Sequence, residues 1–94
     1  MTTPETTHHV TIKVTGKVQG VFYRQSAQQV AQGLGIYGYA QNNLDGSVTI
    51  EAEGTHRAVE EFTRWCAAGS ARANVIHLEV EPAGLQHFTD FQTR

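Results

Sequence analysis

The chain has 94 residues, of which 39% are hydrophobic and 17% charged, with a net charge of −2. That length fits one domain, and the composition fits a globular chain rather than a disordered one. The mild acidity argues against nucleic acid as the main partner, and the single cysteine, Cys66, rules out an intramolecular disulfide and makes a reducing cytoplasm the simplest setting.

Met1 to Thr7 is polar and lacks the apolar core of a signal peptide, so it reads as a flexible tail ahead of a domain over 8–94. No apolar run approaches the roughly 18 residues of a membrane span. Val10, Ile12 and Val14 alternate with Thr11, Lys13 and Thr15, the pattern of a half-buried strand. Ala27, Val30, Ala31 and Leu34 recur at helical spacing, predicting an amphipathic helix from about Arg24 to Leu34 that stops at Gly33 or Gly35.

Between them lies Gly16-Lys17-Val18-Gln19-Gly20-Val21-Phe22-Tyr23-Arg24, which has no acidic residue and ends in arginine. A glycine-containing turn that opens a helix can aim several backbone N–H groups at one point. Arginine adds a planar, always-charged fork suited to phosphate oxygens. Two readings fit: an anion-binding cradle for a phosphoryl group, or an ordinary strand-to-helix turn with a surface arginine. The segment is not a Walker loop, whose Lys-Ser/Thr ending it lacks. Nor is it a dinucleotide fingerprint, because G-x-G-x-x-G does not occur in it.

Tyr37 to Asn42 reads as a second strand, and Asn43-Leu44-Asp45-Gly46 as a turn. Val48, Ile50 and Ala52 then alternate with Ser47, Thr49, Glu51 and Glu53, so the second and third strands form a hairpin. Thr55 is the expected N-cap of a second helix, with Val59, Phe62 and Cys66 on its apolar face and Gly69 as its end. Ile76, Leu78 and Val80 alternate with His77, Glu79 and Glu81 in a fourth strand, and Phe88 to Thr93 offers a short fifth.

This order predicts an α+β fold, the ferredoxin-like βαββαβ sandwich: an antiparallel sheet of four to five strands with two helices on one face. In that topology the first two strands run the same way, with the third antiparallel between them. The cradle and Asn42 therefore fall at one end of the sheet.

Two segments resemble the signatures of the acylphosphatase family. Gly16 to Arg24 is similar to its G-x-V-Q-G-V-x-[aromatic]-R segment. Gly38, Tyr39, Ala40, Asn42, Gly46, Val48 and Gly54 are similar to its second, G-[aromatic]-A-x-N-x-x-x-G-x-V-x-x-x-x-x-G. The resemblance covers nearly all of the chain after the tail. It implies a monomer that hydrolyses acyl phosphates to a carboxylate and inorganic phosphate, without metal or cofactor. Arg24 would bind the phosphate, Asn42 would orient the attacking water, and backbone N–H groups of Gln19, Gly20, Val21, Phe22, Tyr23 and Arg24 would complete the phosphate site. The chain departs from the family at Tyr23, where Phe is usual, and at Gly69-Ser70, where Gly-Pro is frequent. The second change is expected to loosen a loop without touching the site. The ending Thr93-Arg94, where many relatives end in an aromatic, leaves the last strand's pairing open.

The remaining residues have plainer readings. His8, His9, His56, His77 and His87 lack the paired spacing of a zinc site and are expected at the surface. Cys66, Phe62 and Trp65 read as core packing, and Tyr37 and Tyr39 as packing along one strand face. Glu51, Glu53, Glu60, Glu61, Glu79 and Glu81 read as solvated. Two other function classes bear weighing. A binding module on the same fold would hold an anion without turnover, and the presence of both Arg24 and Asn42 argues for the enzyme. An RNA-recognition module shares the element order, but its third strand carries aromatics, whereas Ser47 to Glu53 is acidic and has none.

Overall fold

A computed structural model describes residues 7–94. Most of the expected tail lies outside them, and Thr7 already pairs with Thr55 as the first residue of a strand. The elements follow the expected order: β1 (Thr7–Lys17), α1 (Tyr23–Leu34), β2 (Tyr37–Asn42), β3 (Val48–Thr55), α2 (His56–Ala68), β4 (Asn74–Ala83) and β5 (Phe91–Thr93). The sheet order is β4-β1-β3-β2-β5. β3 lies antiparallel between β1 and β2, β4 is antiparallel to β1, and β5 joins parallel to β2, so the fifth strand makes the sheet mixed. The ferredoxin-like sandwich is borne out. No helix of the described residues is long and apolar enough to cross a membrane.

The alternation in the strands decides what the helices cover. Ile12 pairs with Ile50 and Ala40 pairs with Ile50 from the other side, so one row of fully buried side chains crosses three strands. Ala27 and Ala31 of α1 and Phe62 and Cys66 of α2 close over that face, all at 0% exposure. Phe62 meets Phe91 of β5 edge-on at 5.7 Å, which draws the short last strand into the core. Thr55 caps α2 as expected, its hydroxyl accepting from the Ala58 N–H at 3.2 Å. β4 lies at the sheet edge and does not keep the expected alternation: past the register shift at Gly16 it is Val75, with Leu78, that packs against the core, and Ile76 and Val80 stay exposed.

The opposite face departs from expectation. His9 is buried, not at the surface, and Glu53 is buried rather than solvated. Cross-strand pairing sets His9 beside Glu53. Its Nδ1 lies 2.8 Å from the Glu53 carboxylate and its Nε2 2.6 Å from that of Glu51. The connection from β4 at one edge to β5 at the other covers them: the Gln86 N–H donates to Glu53 at 2.7 Å, and Phe88 stacks on His9 and meets Tyr39 edge-on. Sequence periodicity marks which residues share a face, but not that a later segment crosses it.

Candidate active site

Gly16 opens the site. The β1–β4 register shifts between Thr15 and Gly16, where Gly16 has φ 131° and a Cβ would sit 2.2 Å from the Asn74 carbonyl oxygen. Only glycine permits that dihedral and that approach. The chain then turns through two left-handed residues, Gly20 (φ 72°) and Phe22 (φ 60°), before α1 begins at Tyr23.

The turn walls a cleft of about 240 Å³ at the carboxyl ends of β1 and β2. Gly20, Phe22, Tyr23, Arg24 and Asn42 line it, and Val18, Gln25 and Thr93 complete the wall. Two of the expected site residues turn their side chains elsewhere. Gln19 donates to the main-chain oxygens of Asn43 and Ser47, at 2.7 and 2.9 Å, and so ties the loop to the β2–β3 turn. That turn is itself closed by Asp45, whose carboxylate accepts from the Ser47 hydroxyl and N–H; these bonds hold the Asp45 carboxyl below its usual range. Val21 is buried in the core.

Arg24 and Asn42 meet through a third residue. The main-chain oxygen of Arg94 accepts from Arg24 Nη1 and from the Asn42 N–H. The Arg94 N–H in turn donates to the Ala40 carbonyl at 2.8 Å, which extends the β2–β5 pairing past Thr93. The side-chain oxygen of Asn42 is buried and has no hydrogen-bond partner among the described residues. An unsatisfied buried acceptor destabilises a fold by about 1–3 kcal/mol.

Ser70 corrects one expectation. Its hydroxyl donates to the Val21 carbonyl at 2.8 Å, so the position expected to lie clear of the site braces the cradle from behind. The Arg94 oxygen and Thr93 are site components that the sequence motifs did not include. Their only signal was the weak apolar pattern of the fifth strand. Cys66 and Tyr23 are not reactive groups here: burial pushes the Cys66 thiol up to about 12 and raises the Tyr23 hydroxyl well above its usual range. Among the described residues no three His, Cys, Asp or Glu side chains converge as metal ligands.

Comparison with known proteins identifies the family. The acylphosphatase family model matches residues 10–93. The acylphosphatase of Marinobacter nauticus is 44% identical over 81 residues, covering 85% of this chain and 88% of that protein. The structure of an acylphosphatase from Coxiella burnetii superposes with a TM-score of 0.90 at 31% identity, covering 94% of this chain and 93% of that one. The acylphosphatase from Bacillus subtilis gives the same TM-score and identity, covering 93% and 98%. The chain belongs to the acylphosphatase family, enzymes that hydrolyse acyl phosphates.

Proposed function

We propose that the chain cleaves the carboxyl–phosphate anhydride by in-line attack of water, without a metal. Arg24 and the main-chain N–H groups of residues 19–24 hold the phosphoryl group, and Asn42 orients the water. The water oxygen bonds to phosphorus as the bond from phosphorus to the acyl oxygen breaks. The carboxylate leaves with the electron pair, and the water's proton passes to a phosphate oxygen. The products are a carboxylate and inorganic phosphate. A carboxylate is a good leaving group, so no general acid is needed, and positioning with charge neutralisation carries the rate.

The observation that carries this reading is that Asn42, whose side-chain oxygen is left without a hydrogen-bond partner among the described residues, lines the same cleft as Arg24. A side-chain amide both donates and accepts hydrogen bonds and is too weak a base to take a proton, so its part is to fix a water molecule. Arg24 supports the other half. One N–H of its fork is anchored on Arg94, and the guanidinium has five.

The test is phosphate release from benzoyl phosphate, with and without a chelator, beside p-nitrophenyl phosphate as an ordinary monoester. Turnover of the anhydride alone, indifferent to the chelator, is expected. Loss with the chelator and recovery on adding a divalent ion overturns the reading. Phosphate binding with no turnover assigns the chain to the binding modules instead.

A further inference from the structure

Phe22 is an exposed aromatic residue in a strained position at the mouth of the cleft. It is 67% exposed and, among the described residues, the only large exposed hydrophobic residue that also lines the wall shared by Arg24 and Asn42. Its φ of 60° is left-handed, a conformation that glycine adopts freely and that a bulky residue adopts at a cost of order 1–3 kcal/mol. Its ring pairs with no other aromatic ring among the described residues, whereas Tyr23, next in sequence, packs against Trp65 at 5.3 Å. The Phe22 side chain does nothing for the helix it precedes, since it makes no capping hydrogen bond. A ring left in water, on a backbone that favours glycine, contributes nothing evident to folding.

The cleft dictates what could use it. At about 240 Å³ it is larger than a phosphoryl group, so with that group in the cradle the acyl part of a substrate lies against the rest of the wall. Apart from Phe22, the outer wall is polar: Gln25, Thr93 and Arg24. We propose that Phe22 is a specificity-determining residue whose ring stacks on the acyl group, and that the preferred substrates are acyl phosphates with an aromatic acyl group rather than a short aliphatic one. This rests on the phosphoryl group occupying the cradle as proposed above.

The test compares the wild type with Phe22→Gly, which suits the left-handed backbone, and Phe22→Trp, which keeps an aromatic face. Binding of the non-hydrolysable benzoylphosphonate and acetylphosphonate is measured by calorimetry. In parallel, kcat/KM is measured for benzoyl phosphate and acetyl phosphate. The wild type is expected to favour the aromatic member of each pair. Phe22→Gly is expected to lower that preference about three- to tenfold, the scale of an aromatic pair, with Phe22→Trp within twofold of wild type. The change should fall in KM and in phosphonate affinity rather than in kcat. A preference that falls less than threefold in Phe22→Gly, or that falls equally in both variants, overturns the proposal. The two readings fail separately. Wild type that binds benzoylphosphonate through Phe22 without turning over either substrate refutes the hydrolytic mechanism and leaves the stacking role standing.

Discussion

The Tyr23 hydroxyl donates a 2.7 Å hydrogen bond to the main-chain oxygen of Cys66. This joins the first residue of α1 to the last turn of α2, where helix carbonyls lack an intrahelical donor. The residue just before Arg24 is thereby anchored on the second helix. Tyr23→Phe leaves the Cys66 oxygen buried and unsatisfied. A loss of about 1 kcal/mol is expected, which for a domain of this size lowers Tm by about 4–8 °C. Scanning calorimetry checks it; an unchanged Tm would show that another donor replaces the hydroxyl.

Arg24→Lys should lose most activity despite keeping the charge. Lysine is a point charge and cannot present parallel donors to two phosphate oxygens while also holding the Arg94 oxygen. Steady-state turnover of benzoyl phosphate checks this, and near-normal turnover would make fork geometry irrelevant. In the wild type, inorganic phosphate should raise Tm in a concentration-dependent way at matched ionic strength, as any native-state ligand does. Arg24→Ala should lose that shift, and an equal shift in the variant would place the anion elsewhere.

Asn42→Ala separates water positioning from phosphate binding. Its side-chain oxygen makes no hydrogen bond among the described residues, so removing it breaks no hydrogen bond of the fold. A fall in kcat of roughly a hundredfold is expected, the scale on which misplaced reactants lose rate. Competitive inhibition by phosphate should stay within about threefold, since no charge-assisted contact is removed. An unchanged kcat would reduce Asn42 to a strand-end residue. A parallel collapse of phosphate affinity would make it a ligand of the anion or a support of the cradle.

Glu53 links stability to acid pH. Burial pushes its carboxyl up, but hydrogen bonds from the Gln86 and His87 main-chain N–H groups, together with His9, outweigh burial and hold it below its ordinary value of 4.5. A carboxyl depressed in the folded state stabilises the fold above its ordinary value, and that contribution is lost as pH falls through the folded value. The wild-type Tm should therefore drop as pH falls below about 4.5. Glu53→Gln should have a lower Tm near neutrality and a shallower acid slope. An acid slope identical in the variant would assign the effect to other carboxylates.

Much of this protein was legible in local pattern. The alternation of Val10, Ile12 and Val14, the helical spacing of Ala27 and Ala31, and Thr55 as a cap depend on neighbours within a few residues, and the structure keeps them all. Gly16 to Arg24 announced a site because its glycine positions and terminal arginine are chemically restrictive. Topology then placed Asn42 at the same end of the sheet by the directions of β1 and β2 alone.

Contacts between residues distant in sequence were decided only by the tertiary structure. The Arg94 main-chain oxygen, a group every residue carries, unites Arg24 with Asn42. Ser70 reaches Val21 across 49 positions of sequence, so what reads as a relaxed loop is a brace. His9 and Glu53 are polar and carry no periodic signal of burial; the segment holding Gln86 and Phe88 buries them because β4 and β5 lie at opposite edges of the sheet. Periodicity reports which side chains share a face, while coverage of that face, and hydrogen bonds made by main-chain atoms, depend on where the rest of the chain returns.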